Sequence, residues 1–276
     1  MQVSHVIRGA DHISNTPKQI LLYQALNAHI PEFAHVPLIL GPDKSRLSKR
    51  HGATSVTAYR DQGFLPEAFR NFLALLGWSP GDDSEKMSTA ELIQRFSLEG
   101  INKSDAVFNL DKLAWLNSQY LSSTPAAELF PLVRTAVENA GLWDAAYEVE
   151  RKVWFLGLID LLKTRARLLP DFVSNGRAFL SDEYEIEPAA REKFLKEPAL
   201  ATLLPELALR LEVLPEFTLE TAEAALRSFA EQRQVKPGLL INASRVLLTG
   251  KAVAPGIFEV MVALGQTRTV QRLRRP

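Results

Sequence analysis

Cysteine is absent from the 276 residues, so neither a disulfide framework nor a thiolate zinc site can form within this chain. A reducing, cytoplasmic setting is the expectation. No run approaches the roughly 18 to 20 uninterrupted apolar residues that span a bilayer. The start, Met1-Gln2-Val3-Ser4-His5, has no signal-peptide pattern. A soluble protein with no membrane partner is therefore expected. Internal repeats and low-complexity tracts are also missing. Net charge is lacking too: 32 Lys and Arg balance 32 Asp and Glu. That balance argues against a nucleic-acid partner, because phosphate binding needs clustered cations.

The distribution of charge matters more than its sum. Residues 1–60 hold seven Lys or Arg (8, 18, 44, 46, 49, 50 and 60) against three acids (11, 32 and 43), and all five histidines (5, 12, 29, 35 and 51). The carboxyl end carries Arg268, Arg272, Arg274 and Arg275 with no acid after Glu259. Both ends read as built for polyanions. Apolar residues at 46% and charged residues at 23% are ordinary globular proportions. The length exceeds the roughly 100 to 200 residues of one core, which predicts two or three packed units.

Val3 to Ile7 is a β-prone run ending at Arg8-Gly9. Ser14-Asn15-Thr16-Pro17 then sets a capping residue ahead of a proline suited to the first helical turn. Ile20, Leu22, Tyr23 and Leu26 predict a helix that stops before Pro31, and Val36 to Leu40 reads as a second strand closed by Gly41-Pro42. Strand, helix and strand make a β-α-β unit, whose ligand groups sit where strands end in loops. From Pro66 the pattern becomes helical, with apolar positions 65, 68, 69, 72, 73 and 76 on one face and Gly77 as the stop. No further strand is expected. Ser88-Thr89-Ala90-Glu91 is a capping box, and Asn109 opens the next helix. Further helices are predicted over 124–140, 145–168, 189–212, 219–234, 237–249, 255–264 and 267–274. Trp78, Trp115, Trp143 and Trp154 are assigned to apolar helical faces as core residues.

Pro42-Asp43-Lys44-Ser45-Arg46-Leu47-Ser48-Lys49-Arg50-His51-Gly52 puts four cations and two hydroxyls on a turn after a strand. On composition alone this is solvated basic surface. It is also a loop able to neutralise phosphates: lysine is a mobile point charge suited to a departing pyrophosphate, and turn N–H groups supply fixed dipoles. His5 and His12 flank a turn, but no Cys or HExxH pattern accompanies them. No metal site is expected.

Arg46-Leu47-Ser48-Lys49-Arg50 resembles the KMSKS signature of class I aminoacyl-tRNA synthetases, in the KLSKR form of glutamyl enzymes, with Arg46 for the first lysine. His5-Val6-Ile7-Arg8-Gly9-Ala10-Asp11-His12, with Ser14-Asn15-Thr16-Pro17, is similar to the segment where that family holds amino acid and adenosine, although Ala10 stands where an acid is usual. The likeness continues through Gly63-Phe64-Leu65-Pro66, Leu76-Gly77-Trp78, Val107 to Asn117 and Leu247-Leu248-Thr249-Gly250. The chain as a whole resembles the carboxyl-terminal half of a bacterial glutamyl-tRNA synthetase.

The resemblance implies a mainly α fold: a residual α/β, Rossmann-type segment with the KMSKS-type loop over 1–60, a helical stem-contact domain over 61–122, and an all-helical anticodon-binding domain over 123–276. It implies that Arg8 pairs with a carboxylate of L-glutamate, as a bidentate guanidinium can. Asp11 would accept hydrogen bonds from ATP, and Ile39 would border the adenine through its main chain. Lys49 would bind the phosphates and stabilise the adenylate-forming transition state. Arg165 aligns with an arginine that helps read the third anticodon base, and Arg245 with another of that region. Read alone, both are cations on amphipathic helices.

ATP with Mg2+ and tRNA(Glu) are the implied substrates, and no zinc is implied within this chain. The family begins with a nucleotide-binding strand and a HIGH motif ahead of the His5 string. The expectation is therefore a fragment, a truncated gene model or one half of a split enzyme, inactive alone, whose further partner is the missing amino-terminal half as a separate chain. The alternative is a non-catalytic tRNA-binding module. The helical tail argues against a glutaminyl enzyme, which ends in β-barrels, and against a glutamyl-queuosine enzyme, which lacks such a tail.

Overall fold

The computed structural model describes residues 2–48, 50, 52 and 55–275. The chain forms two compact units, Met1–Tyr120 and Leu121–Pro276. It is mainly helical with few strands, as expected.

In the first unit, β1 (His5–Gly9) runs parallel to β2 (Glu32–Val36), with Arg8 level with His35. Between them lie a 3-10 turn (Ala10–Asn15) and α1 (Thr16–Ala25), which carries Pro17 in its first turn. The expected side-chain cap at Asn15 is not formed. The second strand also lies earlier than Val36 to Leu40, because Pro37 has no N–H for a ladder and divides the run. The remainder, β3 (Ile39–Leu40), pairs in parallel with β4 (Ala106–Val107), a strand the sequence reading did not anticipate. A two-residue strand carries no readable alternation.

Helices complete this unit: α2 (Val56–Asp61), α3 (Pro66–Leu75), α4 (Thr89–Arg95) and α5 (Leu110–Ser123), which runs through the division. The Ser88/Glu91 capping box forms as read, and Asn109 Oδ1 accepts from Lys112 N at 3.0 Å. Tyr59 stacks on Phe69 at 4.8 Å, and Phe72 meets Phe108 edge-on at 5.0 Å. Two buried asparagines tie the packing together. Asn117 Oδ1 accepts from Leu65 N at 2.8 Å, and Asn71 Oδ1 accepts from Met87 N and Tyr120 Oη, both at 2.7 Å. Trp78 is buried but lies in an isolated bridge to Ile101, and Trp115 is 41% exposed, so neither is a helical core residue.

The second unit is an array of helices: α6 (Ala126–Asn139), α7 (Lys152–Lys163), α8 (Pro170–Leu180), α9 (Pro188–Phe194), α10 (Leu200–Glu212), α11 (Leu219–Gln232), α12 (Pro237–Thr249), α13 (Ile257–Leu264) and α14 (Gln266–Leu273). The helix expected over 145–168 is broken into a 3-10 turn at Ala145–Glu148 and α7. The one expected over 189–212 divides into α9 and α10, with Pro198 in the gap. Helix α8 was not foreseen. Pro170 occupies its first turn, where no N–H partner is needed. A Cβ at Gly176 would come within 3.2 Å of Leu162, so glycine allows α7 and α8 to pack closely. Leu204, Leu207, Leu211, Phe229, Leu248 and Val260 form the buried centre.

The basic carboxyl end is largely spent inside this unit, which corrects the polyanion reading there. Arg268 donates to Phe179 O at 2.8 Å and to Asp182 Oδ1 at 2.7 Å. Arg272 donates to Leu248 O, Ser181 O and Asp182 Oδ1 at 2.9, 3.2 and 3.0 Å. Arg274 pairs with Glu212 at 2.5 Å. Phe179 and Leu248 lie in the last turns of α8 and α12, whose carbonyls have no helical partner. The arginines supply one.

Candidate functional site

Arg8 ends β1 inside a small polar cluster. Its Nη2 donates to Thr16 Oγ1 at 2.8 Å, and Thr16 Oγ1 lies 2.9 Å from His35 Nε2. The guanidinium sits 5.3 Å from the Phe33 ring centroid, within cation–π reach. Arg8 Nε is buried and has no hydrogen-bond partner among the described residues. A buried orphan donor costs about 1–3 kcal/mol, which an acceptor ligand would recover.

Asp11 lies on the 3-10 turn that follows. A Cβ at Gly9 would fall 2.5 Å from Asp11 Oδ1, so a bare position 9 lets this carboxylate fold over the strand end. Asp11 Oδ2 pairs with Arg46 Nη2 at 2.9 Å, joining the β1 end to the basic loop. With Arg46 70% exposed, this pair is worth little to stability and reports proximity instead.

The basic loop is a tight hairpin. Gly41 N donates to Ser45 O at 2.8 Å, Lys44 N to Gly41 O at 2.9 Å, and Leu47 N to Ile39 O at 2.9 Å. Lys44 takes a left-handed φ of 60°, and Asp43 Oδ1 holds Ser45 through both its N–H and its hydroxyl. Arg50 Nη2 donates to Ser45 Oγ at 2.6 Å. Ile39 is 36% exposed, its carbonyl engaged by Leu47. Lys49 and His51 lie outside the described residues. Asp11 and Arg46 are thus linked just beyond β1, Arg8 sits with Thr16 at its end, and Phe33 and His35 are members that sequence reasoning missed. Phe33 and His35 alternate with period two, a signal that becomes readable once β2 is placed at 32–36.

In the second unit, Arg165 stands exposed in the turn after α7, with no side-chain hydrogen bond or ion pair among the described residues. Arg245 Nη1 donates to Asn242 Oδ1 at 2.7 Å, while its Nε is buried with no hydrogen-bond partner among the described residues. Burial, and then the nearby charge of Arg165, push the Arg245 guanidinium below its ordinary value. Arg165 borders an open cavity of about 610 Å³ that also takes in Asn175, Glu187 and Lys251. Among the described residues no group of three or more His, Cys, Asp or Glu side chains is placed to hold a metal ion.

Residues 124–276 match the family model for an anticodon binding domain, and residues 1–115 match that for the catalytic domain of class I tRNA synthetases (E and Q). The chain is 55% identical to glutamate–tRNA ligase 2 of Koribacter versatilis, over all of this chain and 57% of that protein. Over 124–276, more than half of its length, the chain belongs to the anticodon binding domain family. It is 46% identical to the glutamate–tRNA ligase of Thermodesulfovibrio yellowstonii, over all of this chain and 58% of that protein. A crystal structure of a glutamate tRNA ligase from Elizabethkingia meningosepticum, in complex with its amino acid, superposes with a TM-score of 0.85 at 30% identity, over all of this chain and 57% of that one. The chain therefore spans somewhat over half the length of the glutamate–tRNA ligases it matches. No helix among its described residues is long and apolar enough to cross a membrane.

Proposed function

We propose that this chain is the tRNA-binding and ATP-loop portion of a glutamate–tRNA ligase, working in the cytoplasm. It would act with the remainder of a class I catalytic fold, supplied in the same polypeptide or as a separate chain. The ion pair between Asp11 and Arg46 carries this reading, because it brings the amino-acid strand and the phosphate loop to one point. Residues 1–60 would complete the activation site, 61–122 contact the acceptor stem, and 123–276 bind the anticodon arm.

Arg8, held by Thr16 and stacked on Phe33, would offer its orphan Nε–H to a carboxylate of L-glutamate. Asp11 would accept from ATP, Ile39 would border the adenine through its main chain, and Lys49 would neutralise the phosphates. The free α-carboxylate oxygen attacks the α-phosphorus of Mg2+-bound ATP, the bond to the bridging oxygen breaks, and pyrophosphate leaves. A terminal ribose hydroxyl of tRNA(Glu) then attacks the mixed anhydride carbonyl, and AMP departs. Positioning and charge stabilisation supply most of such acceleration. Arg165 and Arg245 would face the anticodon.

Exposed apolar side chains on the β1–α1 segment support a covering element. Ile7, the α1 residues Leu21 and Leu22, and Leu26 at its end are 47 to 76% exposed. Parallel strands are ordinarily covered on both faces. Retention of labelled tRNA(Glu) on filters tests the RNA half of the reading: micromolar binding that Arg165→Ala weakens is expected. Binding no tighter than to an unrelated hairpin would overturn it.

A further inference from the structure

Arg8 is held in place by groups that need carry no charge. In the parallel register it stands level with His35, and Phe33, two residues earlier, shares that face of β2. Phe33 lies against the guanidinium, and His35 reaches it through Thr16, the first residue of α1. Thr16 Oγ1 has three neighbours: Arg8 Nη2 at 2.8 Å, His35 Nε2 at 2.9 Å and His12 O at 3.3 Å. A hydroxyl has one proton and two lone pairs. Arg8 can only donate and His12 O can only accept, so all three contacts are met together when a neutral His35 carries its proton on Nε2 and donates it to the second lone pair. The hydroxyl is then locked, because rotating it breaks at least one bond. This arrangement fixes the face and one edge of the guanidinium, leaves Nε–H open, and among the described residues sets no carboxylate beside the cation. An acid in the place of Thr16 would hold Arg8 more tightly but cancel the charge that an anionic ligand needs.

We propose that Thr16 and His35 are positioning residues for glutamate: the imidazole orients the Thr16 hydroxyl, the hydroxyl orients Arg8, and the open Nε–H edge meets a carboxylate already aligned. An arginine side chain otherwise gives up rotamer freedom on binding, and preorganisation removes that cost. This deepens the assignment of Arg8 to a glutamate carboxylate and rests on it. Asp11 and Arg46, assigned to the ATP side, share no hydrogen bond with Thr16 or His35 among the described residues, so ATP binding serves as the internal control.

Two measurements test it. The first follows the Arg8 Nε–H signal in proton–nitrogen spectra of this chain with isotope-labelled arginine, identified by its loss in Arg8→Lys. The signal should exchange slowly with water. Thr16→Val, which keeps the shape but removes the hydroxyl, should speed that exchange about tenfold, and Thr16→Ser should restore it. His35→Gln, which keeps a terminal N–H donor, should fall between the unaltered chain and His35→Phe. The second is glutamate-dependent exchange of pyrophosphate into ATP by this chain mixed with the remaining amino-terminal portion of a family member. Thr16→Val and His35→Phe should each raise the KM for glutamate about tenfold, the order of one hydrogen bond to a charged group, with kcat and the KM for ATP within about twofold. Thr16→Ser should bring the glutamate KM back. Equal rises in the KM for both substrates, or a fall in kcat with the glutamate KM unchanged, would overturn the proposal and leave Thr16 and His35 as parts of the fold. An Arg8 signal untouched by Thr16→Val would overturn it too. Arg8→Lys with an unaltered glutamate KM would instead overturn the assignment of Arg8 itself. Should no mixture exchange pyrophosphate, the ligase reading fails, and the Arg8 signal still decides whether Thr16 and His35 fix the guanidinium.

Discussion

Replacing Arg272 by methionine should loosen the second unit markedly. The side chain is 10% exposed, and its guanidinium serves Leu248 O, Ser181 O and Asp182 while lying 4.4 Å over the Tyr184 ring. Methionine keeps the aliphatic stem and removes every donor. Two carbonyls then lose a charged partner at about 1 kcal/mol each, discounted for partial solvent access, and the ring contact adds about 1 kcal/mol. The sum, about 3 kcal/mol, corresponds to roughly 6–12 °C in Tm for a unit of this size. Circular dichroism melts and urea titrations would report it, with the midpoint shifted and the slope unchanged. Arg272→Lys should recover under half, because an ammonium cannot span three acceptors. A Tm change below about 2 °C for Arg272→Met would refute the view of α14 as the fastening between the ends of α8 and α12.

Hydrogen bonds from Arg268, then Arg272, hold the Asp182 carboxyl below its ordinary value of 3.8. A depressed folded-state pKa gives stability that is present above 3.8 and lost as pH falls through the lower folded value. The difference between the unaltered chain and Asp182→Asn should therefore shrink below pH 3.8 in an acid-unfolding series. Gly250→Ala should cost more than about 3 kcal/mol, or prevent folding, since it meets both a left-handed φ and the Glu185 carbonyl; denaturant midpoints would measure it. Asn71→Leu should cost about 1–3 kcal/mol in the first unit by stranding Met87 N–H, while the Tyr120 hydroxyl keeps its bond to Met87 O. Asn71→Asp should retain part of that loss.

Sequence periodicity located the helices that carry their own punctuation. Helix α12 matches its predicted span of 237–249, opening at Pro237 and closing at Gly250, and the Ser88/Glu91 box sets the start of α4. What escaped lacked a local signal. β4 is two residues long and exists through its partner β3, and the break between Glu148 and Lys152 interrupts an apolar pattern that continues on either side. The candidate site divides in the same way. Arg8, Asp11 and the basic loop were readable because they stand in two recognisable motifs, whereas Phe33 and His35 reach the Arg8–Thr16 pair only through strand register. Charge counting misread the carboxyl end, since a run of arginines looks the same in sequence whether it faces solvent or caps two helices.

Glutamate-dependent exchange of pyrophosphate into ATP, with tRNA(Glu) present, tests the central claim most directly. This chain would be assayed alone, mixed with the remaining amino-terminal portion of a family member, and in the same mixture carrying Lys49→Ala. Exchange in the unaltered mixture, absent from the chain alone and reduced at least 100-fold by Lys49→Ala, is the predicted result. No exchange in either mixture, with tRNA(Glu) still bound, would contradict the ligase reading and leave a tRNA-binding module.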